Sequence, residues 1–126
     1  MKPEYSVTAD VNKNRLYIVL RYTITKDIAE RVADMIVKES IKLKPHFGVI
    51  TDMTGLKFGH ISAGFILKNA MEFLHSRNVG TVVRVVGGSK VGLIQFARLT
   101  QGFTGYKPVY VPTMQEAEKK LDNEGG

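Results

Sequence analysis

Three short apolar runs, Phe47 to Met53, Thr81 to Val86 and Lys107 to Val111, are each separated from the strand-like segment before by a stretch of helical character. That alternation constrains the fold more than any other feature of the chain. Strand, helix and strand in succession give parallel neighbours joined by right-handed crossovers. Only the first connection differs. Glu4 to Asp10 and Arg15 to Ile24 both alternate with period two, and Asn12-Lys13-Asn14 between them is turn chemistry. These two runs predict an antiparallel hairpin.

The helices are marked by caps and spacing. Thr25 can cap a helix with Asp27 and Glu30 in its first turns. Ile28, Ala29, Val32, Ile36 and Val37 then recur at helical intervals up to about Leu43, before Pro45. Ser62 is expected to open a second helix with Phe65, Ile66, Ala70, Phe73 and Leu74 on its apolar side and Asn78 at its end. Ser89 can cap a third, running to about Gln101, and Gly102 and Gly105 stop it. Thr113 and Glu116 form a capping box for a last helix ending near Asp122.

The resulting order is ββαβαβαβα, an α/β class with an N-terminal β-hairpin followed by repeated β-α units. Strands buried on both faces read as continuous apolar runs. Here Arg15 and Arg21 fall on the minor face of the second strand, Asp52 on that of the third, and Arg84 is placed there on the fourth. The expectation is therefore a five-stranded, mostly parallel sheet in near-sequential order with helices mainly on one face. The less covered face, with Tyr17, Val19, Ile50, Val82, Val86 and Tyr110 beside Arg21 and Arg84, is a candidate homodimer contact.

The 126 residues fit a single domain, 1–126, of ordinary globular composition. There is no cysteine, which excludes disulfides, thiolate metal sites and thiol catalysis. No run approaches the ~20 apolar residues of a membrane span, and no signal-peptide pattern opens the chain. A cytoplasmic protein is expected. The net charge is +6, and it is unevenly spread. Between Met53 and Pro112 seven basic residues face one acid, Glu72, whereas residues 1–52 carry nine basic and seven acidic groups. The bias suits an acidic partner, but the charges are scattered singly, as on a solvated face.

The stretch from Asp52 to Gly64 carries a resemblance. Asp52, Met53 and Thr54 end an apolar strand, Leu56 and Phe58 follow, and His60, Ile61, Ser62 and Ala63 stand at the start of a helix. This pattern resembles the STAS domains of sulfate transporters and anti-sigma-factor antagonists, where Asp-Leu-Ser, an aliphatic residue and Phe precede Asp-Ser-Ser-Gly. The element order of nearly the whole chain is similar too. Related bacterial STAS-like proteins resemble the lipid-binding CRAL-TRIO domains in topology. The resemblance implies a non-enzymatic interaction module and places Ser62 on the serine that a partner kinase phosphorylates in that family. His60 stands where the family has Asp, Ile61 where it has the first Ser, and Ala63 where it has Gly.

The candidate sites follow from helix starts. A phosphate on Ser62 would meet unpaired N–H groups and the positive end of a helix dipole; the plainer role for Ser62 is to cap that helix. Gly87-Gly88-Ser89-Lys90 lies between a strand and a helix, as phosphate loops do, but lacks Walker A spacing and also reads as a tight turn. In parallel β-α units these loops share the edge at the carboxyl ends of the strands. That edge would carry Lys57, His60, Ser62, Gly88, Ser89 and Lys90, a candidate surface for a protein partner or small anionic ligand. His46, His60 and His75 show no metal spacing, and His60 with Ser62 is not expected to form a catalytic pair. Neither a cofactor nor a metal is called for.

Three functions are in view. The first is a STAS-like regulatory module acting at the Ser62 edge, under phosphorylation control. The second is a small-molecule or lipid carrier, with a cavity between the sheet and the Phe65-to-Leu74 and Val91-to-Leu99 helices. The third is nucleic-acid binding through the basic half, which lacks an aromatic stacking pattern and is the least favoured.

Overall fold

The computed structural model describes residues 5–87, 94, 97–98 and 105–125. Its first strands, β1 (Tyr5–Asp10) and β2 (Arg15–Leu20), form the expected antiparallel hairpin, with Tyr5 opposite Leu20 and Asp10 opposite Arg15. Asn14 takes the turn's left-handed conformation at φ 54°. The alternation from Arg15 to Ile24 does not continue as one strand. Tyr22 turns to φ 63°, its side chain is exposed, and a separate strand β3 (Thr23–Ile24) follows.

Helix α1 (Lys26–Ser40) is capped by Thr25, whose hydroxyl accepts the Ile28 N–H at 3.3 Å. Ala29, Val32 and Ile36 form its buried stripe. Next come β4 (Gly48–Asp52), a two-residue strand β5 (Lys57–Phe58), α2 (Ile61–Ser76) and β6 (Val82–Val85). Of the helix expected from Ser89 to Gln101, Ile94, Ala97 and Arg98 are helical and the rest lies outside the described residues. The chain ends with β7 (Val109–Val111) and α3 (Met114–Gly125). The Thr113 hydroxyl accepts the Glu116 N–H at 3.2 Å, the predicted cap.

The main sheet has the sequential order β1-β2-β4-β6-β7, antiparallel at the hairpin and parallel thereafter. Leu16, Ile18, Leu20, Val49 and Val82 line the face that receives α1 and α2. There Ala29, Val32, Ile36, Leu67, Met71 and Leu74 complete the larger core. The opposite face is partly covered by α3. Ala117 and Leu121, four residues apart and therefore on one side of the helix, pack on Ile50, Val83 and Val85. Fully burying a leucine contributes about 1.5–3 kcal/mol, so this small second core is a sizeable anchor. Polar contacts tighten it. Arg15 donates to Glu118 at 2.8 Å and to Asp122 at 2.6 Å, and the Tyr17 hydroxyl donates to Glu118 at 2.8 Å.

The register corrects the membership of the expected dimer patch. Arg15, Tyr17, Arg21 and Asp52 do share the second face. Arg84, however, pairs across the ladder with Thr51 on one side and Tyr110 on the other. Side chains of laterally paired residues point the same way, so Arg84, Val82 and Tyr110 belong to the face that receives α1 and α2. Ile50 lies beneath α3. The residues assigned to that patch therefore do not make one surface. Helix α2 also presents a shifted face. Ala63, Gly64, Leu67, Ala70, Met71 and Leu74 are buried, whereas Phe65, expected inside, is exposed.

Candidate functional site

The carboxyl edge of the parallel strands is built from loops that hold each other. β4 ends at Asp52, a buried carboxylate that accepts from Arg21 at 2.6 Å and from the Thr54 N–H at 3.0 Å. Burial raises the Asp52 pKa, but the Arg21 and Thr54 hydrogen bonds outweigh it and hold the carboxyl below the usual aspartate range. The pair fixes the end of β2 against the end of β4. A second tie is the parallel two-stranded sheet of β3 and β5, in which Thr23 pairs with Lys57 and Ile24 with Phe58. The Lys57 N–H donates to the Tyr22 carbonyl at 2.9 Å, and the Gly59 N–H to the Ile24 carbonyl at 3.0 Å. A third tie involves Gly87 at φ 60°. A Cβ there would lie 2.9 Å from the Thr54 methyl, so the loop after β6 sits directly against the loop after β4. The loops before α1, before α2 and after β6 are thus gathered at one edge.

The start of α2 differs from expectation. The helix begins at Ile61, and the N-cap is His60, in extended conformation at φ −154° and ψ 151°. His60 Nδ1 accepts the Ser62 N–H at 3.1 Å. The Ser62 hydroxyl lies 2.9 Å from the same ring nitrogen, within hydrogen-bond distance. Ser62 is not the cap; it is the second residue of the helix, half-buried, with its hydroxyl tied back to the capping ring. The two side chains reach each other. The reason is the extended cap residue, which turns its side chain back over the first helical turn.

Lys57 and His60 are exposed beside this turn. Ile61 and Phe65, one helical turn apart, are 55% and 47% exposed. Tyr22, 62% exposed, immediately precedes β3, the strand that pairs with Lys57's. Among the candidate residues, the structure places Lys57, His60 and Ser62 on adjoining segments, while Gly88, Ser89 and Lys90 lie outside the described residues. The sequence reading missed the capping role of His60 and the exposure of Tyr22. A signal for the first was present: in the resembled pattern the same position is Asp, a preferred N-cap.

Of the space expected between sheet and helices, the side formed by the sheet and α2 falls within the described residues, and most of the Val91-to-Leu99 wall lies outside them. A cavity lined by Ile18, Leu67, Met71, Arg84 and Tyr106, among others, leaves about 40 Å³ to the centres of water-sized spheres. Among the described residues that is room for a few waters. Arg84 is 4% exposed, donates to the Tyr110 hydroxyl at 3.1 Å and lies 5.9 Å from the centre of that ring. Tyr106 packs at the rim of the larger core, and burial pushes its hydroxyl up to about 12 against the pull of Arg84.

No family model matches the chain, and no curated protein matches it. Among solved structures, it is similar to the anti-sigma factor antagonist SpoIIAA in its unphosphorylated form. The TM-score is 0.64 over 96% of this chain and 99% of that one, at 13% identity. At that identity the likeness is one of architecture, and with the hairpin, the sequential sheet and the position of α2 it leads to one conclusion: the chain has a STAS-like fold.

Proposed function

We propose that this protein is a non-enzymatic regulatory module that binds a protein partner, or a small anionic ligand, at the edge carrying the α2 start. Ser62 is its phosphorylation site. The observation that carries this reading is the geometry of Ser62: a hydroxyl in the first turn of α2, held at the surface by His60. A phosphate on Ser62 would gain from the helix dipole and from Lys57 nearby, and it would displace the hydroxyl from His60 Nδ1. The surroundings suit a protein partner. Tyr22, Ile61 and Phe65 offer large apolar side chains to solvent, the residue types that anchor interfaces. The fold is that of an anti-sigma factor antagonist studied in its unphosphorylated form, which supports a phosphorylation-controlled role. No helix of the described residues is long and apolar enough to cross a membrane.

The test is to purify the chain from its own cells under several growth conditions and map phosphate by mass spectrometry. Phosphate on Ser62, absent from a Ser62→Ala chain, is the expected result. A chain that is never modified at Ser62, or is modified only elsewhere, overturns the reading.

A further inference from the structure

Helices α1 and α2 pack against each other on the sheet, and their outer surfaces leave a groove that begins one helical turn beyond Ser62, at Ile66. The floor is Ala33 and Ala70, whose small side chains let the surface dip where the helices meet. Val37, Ile66 and Phe73 form apolar sides, and Glu30 and Asp34 stand four residues apart on the α1 wall. The space amounts to about 440 Å³.

Its charge is opposite to that of the whole protein. The chain carries +6, yet among the described residues the groove is lined by two carboxylates and no cation. Lys26 lies 3.9 Å from Glu30 on the exposed helix surface, and such a pair neutralises little. Carboxylates repel a phosphate backbone or an anionic lipid surface, which argues against nucleic acid and membrane as occupants. They favour a cation presented beside apolar side chains. Residues 30 to 37 span about 10 Å of helix, two turns, which matches the i, i+3/i+4, i+7 footprint of a helix laid in a groove.

We infer that the α1–α2 groove receives a basic amphipathic helix of a protein partner. Its apolar side would sit over Ala33 and Ala70 between Ile66 and Phe73, and its Lys or Arg residues would face Glu30 and Asp34. This surface does not include Lys57, His60 or Ser62, so it stands or falls apart from the proposed phosphorylation site.

The probe is a designed Leu/Lys amphipathic helix of roughly four turns, titrated into the full chain and followed by NMR shift mapping. A Leu/Glu peptide of the same pattern serves as the comparison. Shifts at Ala33, Asp34, Asn69 and Phe73 are expected with the Leu/Lys peptide. The double variant Glu30→Lys/Asp34→Lys, both changes at exposed positions and checked for an unchanged melting curve, should weaken that binding by about tenfold or more. The inference is overturned if the Leu/Glu peptide binds as tightly or the shifts lie outside the groove. It is overturned equally if the same shifts appear when the chain alone is concentrated, which would mark the groove as a self-interface.

Discussion

His60 Nδ1 meets Ser62 twice, accepting the backbone N–H at 3.1 Å and lying 2.9 Å from the hydroxyl. One ring nitrogen thus both starts α2 and holds the side chain proposed to carry phosphate. Removing the ring tests the first role. His60→Ala should cost about 1 kcal/mol of stability in urea denaturation, and His60→Asp, a preferred cap, should keep most of it. An alanine variant as stable as the parent would mean the cap contributes nothing.

Asp52 and Arg21 make the acid sensitivity of the same edge. The Asp52 pKa is lowered in the folded chain, so its contribution is complete above the ordinary value of 3.8 and is lost as pH falls through its own lower value. Asp52→Asn leaves Arg21 without its charge partner. The cost should be about 3 kcal/mol near neutrality, the lower end for a broken buried pair, because Arg21 is partly solvated. Urea midpoints measured at neutral and acid pH check both parts. The variant should also show a shallower fall in stability between neutrality and strong acid, and a parallel fall would remove Asp52 as a cause.

How far the sequence reaches is clearest at individual residues. Arg15, Arg21 and Asp52 could be placed on the second face because each interrupts an otherwise alternating strand. Arg84 could not. Its run, Thr81 to Val86, is β-branched on both sides, so the pattern carries no phase, and only pairing with Thr51 sets it. The cover supplied by α3 was hidden for the opposite reason. The helix buries little more than Ala117 and Leu121 among many charges, so its contact with the sheet rests on a narrow stripe. The β3–β5 ladder has no local signal, since it depends on Tyr22 leaving the extended region in the middle of an alternating run. At the site, Lys57 and Ser62 were legible from loop position and helix start. His60 was named on the same edge, and only its capping role was missed, because serine is the customary cap and histidine is not.

Tyr106 sets the behaviour at alkaline pH. Its hydroxyl holds its proton up to about 12, against 10.0 for an ordinary tyrosine. Between those values the unfolded chain has released a proton that the folded chain keeps. The unfolded state binds fewer protons there, so stability falls as pH rises from about 10 to about 12. Tyr106→Phe removes this component. Tyr17 is raised in the same direction by burial, so the variant's alkaline slope should shrink without vanishing. Denaturant midpoints on either side of pH 10 measure it, and an unchanged slope would remove Tyr106 as the cause.

Tyr22 adopts φ 63° while its ring is mostly in solvent, so the fold gains little from the side chain and bears the strain of a left-handed aromatic residue. That conformation costs about 1–2 kcal/mol for an L-residue. Glycine adopts it freely, at an entropic cost of about 0.5–1 kcal/mol from the unfolded state. Tyr22→Gly should therefore leave stability unchanged or raise it by up to about 1 kcal/mol. The hydrogen bond from the Lys57 N–H to the residue 22 carbonyl uses only backbone and should survive. A bulky, exposed, strained residue beside Lys57 is better accounted for by contact with a partner than by folding. A urea titration decides the folding half of this argument. If Tyr22→Gly loses more than about 1 kcal/mol, the ring packs in solution, and its exposure at this edge has no bearing on recognition.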